Sequence, residues 1–126
     1  MPKQIHVAPN GPAAMGPYSI ATEANGFVFC SGMVPLDPAT GSAVEGGIED
    51  QTHQVMRNIG AVLGDVGLGY DDIVKTTIFL ADMADYPRVN EVYAEYVGDS
   101  KPARSTIQAA ALPGGFQVEI ECIAAR

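Results

Sequence analysis

The stretch from Ile73 to Leu80, IVKTTIFL, is short, apolar and rich in β-branched residues. Such residues fit the pleated surface of a sheet, so the stretch predicts a β-strand. Just before it, between residues 48 and 66, apolar residues recur at i, i+4, i+7, i+8 and i+11, which indicates one face of a helix. The residues on this face are Val55, Ile59, Val62, Leu63 and Val66. Gly67 and Gly69 predict the end of this helix, because glycine readily adopts the left-handed conformation common at helix termini.

A second helical pattern follows the strand, from about Tyr86 to Val97. Its apolar stripe consists of Tyr86, Val89, Tyr93, Tyr96 and Val97. Asp82 and Asp85 place carboxylates near the positive end of the helix dipole, and Pro87 is tolerated in the first turn. The centre of the chain is therefore predicted to be a strand between two helices.

The outer parts of the chain predict further strands. Asn25-Gly26 is a strong signal for a hairpin turn, so we expect residues 19–23 to pair with residues 27–31. Residues 104–112 and 116–125 predict two final strands, joined by a Pro-Gly-Gly segment and adjacent in the sheet. The predicted order is β-β-β-α-β-α-β-β, an α+β fold with two helices on one face of a mixed sheet.

The alternation of side chains along the last two strands predicts which residues share a face. Glu119 points away from its apolar neighbours Val118 and Ile120, while Arg104 and Thr106 share a side of the preceding strand. If the two strands are adjacent, Arg104, Thr106 and Glu119 lie on one polar face of the sheet. We expect that face to be either solvated or in contact with another subunit.

Length and charge exclude several classes of protein. The chain has 126 residues, 7 Lys and Arg against 15 Asp and Glu, a net charge of −8 and a pI near 4.4. This length predicts a single domain over residues 1–126. The acidic balance and scattered basic residues argue against nucleic acid as a partner. Apolar stretches are far shorter than the ~20 residues of a membrane helix. The amino terminus lacks the apolar centre of a secretory signal, so we expect a cytoplasmic protein without a membrane partner.

Cysteine and histidine give little sign of a metal or disulfide site. Cys30 and Cys122 stand apart in apolar surroundings, so each is predicted to be a small buried residue. His6 and His53 have no second ligand at metal spacing, which favours a surface or capping role. We therefore expect no metal site.

Arg104, within Pro102-Ala103-Arg104-Ser105, is the strongest candidate for anion binding. Its planar guanidinium can form two parallel charge-assisted hydrogen bonds with a carboxylate. The alternative is an ion pair with Glu119 or Glu121 across the strands. Glu119 also has two interpretations. It is either an ordinary outward-facing residue, or a carboxylate whose pKa is raised by a nearby bound acid and which positions or deprotonates a water.

Several segments, read together, resemble one known family over nearly the whole chain. They are Gly16-Pro17-Tyr18-Ser19, Cys30-Ser31-Gly32, Asp72 to Thr77, Val89-Asn90-x-x-Tyr93, and Pro102-Ala103-Arg104-Ser105 followed by Val118-Glu119-Ile120-Glu121. This combination resembles the reactive intermediate deaminase family, RidA/YjgF. The resemblance implies a chorismate-mutase-like α+β fold and a homotrimer with ligand clefts between neighbouring subunits.

The resemblance also implies an activity. Archetypal members hydrolyse enamine and imine acids such as 2-aminoacrylate, 2-iminopropanoate and 2-iminobutanoate to 2-keto acids and ammonia, with no metal or organic cofactor. By position, Arg104 would bind the carboxylate and Glu119 would hold the attacking water. The remaining implied contacts are Tyr18, Ser31, Gly32, Asn90 and Thr106. Many archetypal members have Cys where this chain has Thr106, whose hydroxyl can still donate and accept a hydrogen bond.

Two other functions remain open from the sequence. One is a non-catalytic trimer that binds a small carboxylate or acts as a holdase for other proteins. The other is an endoribonuclease, a label often attached to this family. The acidic balance speaks against the endoribonuclease, because phosphate chemistry needs a basic or metal site.

Overall fold

The computed structural model describes residues 2–126, and within them six strands form one mixed sheet. The strands are β1 (Gln4–His6), β2 (Ala21–Ala24), β3 (Phe27–Met33), β4 (Ile73–Leu80), β5 (Ala103–Gln108) and β6 (Val118–Ala125). The two helices are α1 (Ile48–Asp65) and α2 (Tyr86–Val97), and they confirm both predicted helices to within one residue. The spatial order of the strands is β1-β2-β3-β6-β4-β5. None of the helices in residues 2–126 is both long and apolar enough to cross a membrane.

The predicted hairpin is confirmed, with small shifts at its ends. Asn25 and Gly26 both have positive φ, 53° and 83°, as a tight hairpin turn of this type requires. Strand β2 begins two residues later than expected, and β3 continues to Met33 through an irregularity between Cys30 and Met33. Gly32 lies within this irregularity.

The core lies between one face of the sheet and the two helices. The alternating residues of β6 that point to the helices are fully or almost fully buried: Val118, Ile120, Cys122 and Ala124. They meet the apolar face of α1, on which Val55, Ile59 and Val62 are inaccessible to solvent. Cys30 and Cys122 are both buried free thiols and lie opposite each other on β3 and β6. Their predicted burial is therefore confirmed.

The expected pairing of the last two strands is wrong. Strand β4 lies between β5 and β6, parallel to β5 and antiparallel to β6. Helix α2 connects β4 to β5, and a helical crossover is the usual way of joining parallel neighbours. The Pro-Gly-Gly segment is therefore part of a longer connection. Accordingly β5 ends at Gln108 instead of residue 112, and β6 begins at Val118 instead of residue 116.

The insertion of β4 changes which face Arg104 occupies. Arg104 and Thr106 lie beside Thr76 and Ile78 of β4, and both of these are buried on the helix side. Glu119 instead lies beside Phe79, whose side chain alternates to the opposite side. The expectation that Arg104, Thr106 and Glu119 share one face is therefore wrong. The alternative ion pair of Arg104 with Glu119 or Glu121 is wrong for the same reason.

The sheet face without helices, here called the uncovered face, is less polar than expected. Glu119 and Glu121 are on it, but so are large apolar side chains. Phe27, Phe29 and Ile107 alternate onto this side and are 44%, 43% and 48% exposed. Strand β3 is thus apolar on both faces, because Val28 and Cys30 between these phenylalanines are buried in the core. The uncovered face therefore combines two carboxylates with three exposed apolar side chains.

Candidate active site

The guanidinium of Arg104 is held by side chains of α2. Its Nη1 donates to Asn90 Oδ1 at 2.8 Å, and its Nη2 donates to the Tyr86 hydroxyl at 2.7 Å. The Cζ atom lies 5.5 Å from the ring centroid of Tyr86 and 5.1 Å from that of Tyr93, within range for cation–π attraction. A guanidinium has five N–H donors. Within the described residues these two bonds use two of them, which leaves three for a ligand.

The spacing of the residues on α2 explains why they meet the arginine together. Tyr86, Asn90 and Tyr93 stand at i, i+4 and i+7, so they lie on one side of the helix. Edge strand β5 runs beneath that side and presents Arg104 to it. Asn90 was predicted to line the site. Tyr86 and Tyr93 were not predicted as site residues. Their spacing of four and three residues from Asn90 nevertheless places them on the same side of the predicted helix.

An open cavity of about 580 Å³ lies beside the guanidinium. It is lined by Met83, Ala84, Tyr86, Pro87, Arg104 and Thr106. Among the described side chains, Thr106 has a buried hydroxyl oxygen that lacks a hydrogen-bond partner. A buried polar group left unpaired costs about 1 to 3 kcal/mol. The combination of free N–H groups and an unpaired hydroxyl therefore suits a small polar ligand in this cavity.

Glu119 occupies a separate position, over Gly32 on the uncovered face. A Cβ atom placed on Gly32 would lie only 2.8 Å from the carboxyl carbon of Glu119. Burial raises the pKa of Glu119 above its usual value of 4.5, and the nearby negative charge of Glu121 raises it further. A carboxyl group with a raised pKa exchanges protons closer to neutral pH, as a general acid or base requires.

Replacing Gly32 by alanine is expected to displace the Glu119 carboxylate without unfolding the protein. The atoms that a new Cβ would meet belong to the end of a flexible side chain, which can move aside. We expect kcat of any reaction that uses the Glu119 carboxylate to fall about tenfold, because even a 1 Å misplacement of a reacting group is costly. Steady-state kinetics measures kcat, and thermal melting checks the fold. Gly26→Ala is an unsuitable control because Gly26 has φ of 83°; Gly47→Ala, with no atom within 4 Å of its Cβ, is suitable.

Ser31 directly precedes Gly32 in the chain and is hydrogen-bonded to Ser19, the residue that follows Tyr18. Ser31 Oγ donates to the carbonyl of Ser19 at 2.7 Å, and the Ser31 N–H donates to the carbonyl of Ile20 at 2.9 Å. The Tyr18 side chain is 53% exposed, and its hydroxyl accepts a hydrogen bond from the Met15 N–H at 3.2 Å. In the described part of the chain each hydroxyl therefore has one hydrogen-bond partner and retains capacity for a ligand.

The seven predicted site residues thus fall into two groups within one chain. We call Arg104, Thr106 and Asn90, with Tyr86 and Tyr93, the arginine cluster. We call Glu119, Gly32, Ser31 and Tyr18 the glutamate cluster. The first lies on the helix side of the sheet edge at β5, and the Glu119 carboxylate belongs to the opposite face.

The two histidines lie outside both clusters and have protein partners. His6 Nε2 is 2.8 Å from Glu23 Oε1, and the same carboxylate accepts hydrogen bonds from Arg126. His53 Nδ1 is 2.8 Å from the Tyr96 hydroxyl. These contacts join neighbouring elements of the fold and account for both side chains.

The fold and the arginine cluster define a class: small α+β proteins with an edge-strand arginine that is hydrogen-bonded by tyrosine and asparagine. A family model described as Endoribonuclease L-PSP matches residues 8–126. The chain belongs to this family, which is also the RidA/YjgF family of reactive intermediate deaminases. The resemblance drawn from the sequence motifs is thereby confirmed.

Curated relatives and solved structures agree with the family assignment. The chain is 52% identical to Reactive Intermediate Deaminase A, chloroplastic, of Arabidopsis thaliana, over 97% of this chain and 65% of that protein. It is 47% identical to 2-iminobutanoate/2-iminopropanoate deaminase of Mus musculus, over 90% and 84%. It is also similar to YyfA of the Rid family from Yersinia pestis, with a TM-score of 0.96 and 47% identity over 99% and 100%. Escherichia coli TdcF, crystallised with bound serine, matches with a TM-score of 0.92 and 35% identity over 98% of each chain.

Proposed function

We propose that this protein hydrolyses 2-imino acids, and the enamine acids that tautomerise to them, to 2-keto acids and ammonia. The observation that carries the proposal is the guanidinium of Arg104, held on two sides by α2 with N–H groups free beside a cavity. A planar fork of this kind suits a carboxylate better than a single ammonium would. The substrates we propose are 2-aminoacrylate, 2-iminopropanoate and 2-iminobutanoate.

The comparisons support this class of substrate. Two relatives carry imine or reactive intermediate deaminase in their names, and one similar protein binds serine. Serine has a carboxylate next to a carbon that bears nitrogen, which is the arrangement a 2-imino acid shares. The unpaired hydroxyl of Thr106 supplies a further polar contact for such a ligand.

We propose that the complete site forms between neighbouring subunits of a homotrimer. A small substrate must touch both Arg104 and Glu119, yet in one chain these residues are on opposite faces of the sheet. The arginine cluster of one subunit and the glutamate cluster of the next would meet if the uncovered face packs on a neighbour. Its exposed Phe27, Phe29 and Ile107 are apolar surface that such packing would bury. A repeated head-to-tail contact closes into a ring, and three subunits are the proposed number.

The proposed mechanism needs few groups because an imine carbon is already electrophilic. Arg104 binds the carboxylate and fixes the plane of the substrate. Glu119 accepts a proton from water as the oxygen bonds to the imine carbon, and it returns a proton to nitrogen. Glu119 then carries the hydroxyl proton of this carbinolamine to nitrogen as the C–N bond breaks, so that ammonia leaves and the C=O bond of the keto acid forms. Holding water and substrate together can lower the barrier by roughly 7 to 11 kcal/mol, which requires no metal or cofactor.

The test is to generate imino acid with an amino-acid oxidase or threonine dehydratase, add the purified protein, and follow imine decay and keto acid formation. We expect faster decay in proportion to protein concentration. Lack of acceleration would contradict the proposal. If calorimetry then showed 2-oxobutanoate binding that depends on Arg104, a non-catalytic carboxylate-binding module would be the better account. Cleavage of RNA in metal-free buffer, lost with Arg104→Ala, would support the endoribonuclease instead.

The shared site makes a further prediction for mixed trimers. Arg104→Ala and Glu119→Gln chains are each expected to be nearly inactive alone. When they are co-expressed in equal amounts, about a quarter of the sites should combine an intact arginine with an intact glutamate from the next subunit. Activity should therefore return to about a quarter of the wild-type value. No recovery in mixed trimers verified by native mass spectrometry would show that the two residues do not meet between subunits.

A further inference from the structure

Within residues 2–126 the hydroxyl of Tyr86 has one hydrogen-bond partner, and that partner is the arginine at the centre of the arginine cluster. It accepts the hydrogen bond from Arg104 Nη2 at 2.7 Å, while its ring lies under the guanidinium with the Cζ atom 5.5 Å from the centroid. We propose that Tyr86 is a positioning residue whose hydroxyl fixes the orientation of the Arg104 fork for carboxylate binding. This inference rests on the proposed function and adds a residue that neither the motifs nor the family resemblance pointed to.

The need for positioning follows from the chemistry of arginine. Its side chain has several rotatable bonds and loses much rotamer freedom when it is fixed. Asn90 accepts a hydrogen bond from Nη1 only. With that bond alone, the guanidinium could still rotate about the contact. The Tyr86 hydroxyl, which accepts a hydrogen bond from Nη2, prevents this rotation and fixes the plane of the guanidinium. Tyr86 therefore prepares the bidentate geometry before the substrate arrives.

The ring and the hydroxyl of Tyr86 serve different purposes. The side chain is half-buried and packs against the core, which its ring achieves alone. The hydroxyl is instead bonded to Arg104 Nη2, and Tyr86 lines the same cavity as Thr106. Phenylalanine would keep the ring contacts and remove only the bond to Arg104. This substitution separates a structural role from a positioning role.

The experiment compares Tyr86→Phe with Tyr96→Phe. Tyr96 is a matched control because it lies on the same helix, is also half-buried, and uses its hydroxyl on His53 Nδ1 at 2.8 Å. For Tyr86→Phe we expect KM for the imino acid to rise about tenfold, with kcat within about twofold of wild type. The reason is that the Arg104 guanidinium binds the carboxylate equally in the ground state and the transition state. Tyr96→Phe should leave both constants unchanged. Melting temperatures of the variants should not explain the difference.

A second arm asks whether Tyr86 acts through Arg104. In an Arg104→Lys background there is no fork to orient, so adding Tyr86→Phe should change KM less than about twofold. An unchanged KM for Tyr86→Phe alone, or an equal effect in both backgrounds, would overturn the inference while leaving the deaminase proposal standing. If the wild type shows no turnover, the proposed function fails, and the Kd for 2-oxobutanoate replaces KM in the same comparison. Absence of 2-oxobutanoate binding to the wild type would then overturn both.

Discussion

Arg104→Ala is expected to lower kcat/KM for imino acid hydrolysis by about 10² to 10³-fold. Removing one partner of a hydrogen-bonded charge pair costs roughly 2 to 5 kcal/mol, and about 1.4 kcal/mol corresponds to a factor of ten. The substituted site would lose both the charge and the fork that fixes the substrate plane. Steady-state kinetics with enzymatically generated 2-iminobutanoate measures the loss.

Arg88→Ala provides the matched control for this variant. Arg88 lies on the same helix as Asn90 and is exposed. Its replacement by alanine therefore removes the same charge at a position outside the cavity. Its kcat/KM should stay within about twofold of wild type. Loss of the stacking on Tyr86 and Tyr93 should lower the melting temperature of Arg104→Ala only slightly, because cation–π contacts at exposed sites contribute about 0.5 to 1 kcal/mol each. Activity of Arg104→Ala close to that of Arg88→Ala would refute the role given to the guanidinium.

Glu119→Gln is expected to lower kcat by about 10² to 10³-fold, with a smaller change in KM. General acid–base catalysis contributes about 10² to 10⁴-fold, and the amide cannot accept and return the proton of water. Glu95→Gln, at an exposed position of α2, should leave kcat unchanged and serves as the control for removing a carboxylate. Wild-type kcat in Glu119→Gln would exclude Glu119 as the base.

The pH profile gives an independent check on Glu119. Since burial raises its pKa above 4.5, wild-type kcat/KM, which reports the pKa values of the free enzyme, should decline on the acid side at a pH above that value. Glu121→Gln should move this decline to lower pH, because the charge of Glu121 contributes to the raised pKa. A decline centred at or below 4.5 in the wild type would indicate that Glu119 is not the group that titrates.

The same raised pKa predicts the sign of a stability effect. A carboxyl group with a higher pKa in the folded than in the unfolded state binds protons on folding in the interval between the two values. Stability therefore falls as the pH rises through that interval, and the penalty persists above it. Glu119→Gln removes the charge, so it should melt at or above the wild-type temperature at pH 8, with a smaller difference at pH 4. A gain in stability together with a loss of activity is common when a residue of a functional site is replaced.

The positions of the elements followed closely from local patterns. Helix α2 and strand β4 have the predicted limits, and α1 differs by one residue. The hairpin turn at Asn25-Gly26 was also predicted, because positive φ at both positions is a local property of these residues. Arg104 and Glu119 stood out as candidates from residue chemistry, and the family resemblance implied Gly32, Asn90 and Thr106 by position.

The arrangement of the last strands could not be predicted in the same way. Alternating apolar and polar residues along a strand show that its two faces differ. They do not show which face meets the helices or which strand lies beside it. Residues 104–108 carry polar side chains on both sides, so their hydrophobic pattern left the orientation of Arg104 undetermined. The Pro-Gly-Gly segment then suggested a neighbouring pair that does not exist.

By itself, the sequence determined the elements, the family and the residue types available for chemistry, because these depend on neighbours within a turn or two of the chain. Only the tertiary structure decided that β4 separates β5 from β6 and that Arg104 lies against Tyr86, Asn90 and Tyr93. The reason is that α2 carries the chain from β4 to a parallel neighbour, and this crossover turns Arg104 toward the helix. The same geometry places Glu119 on the other face.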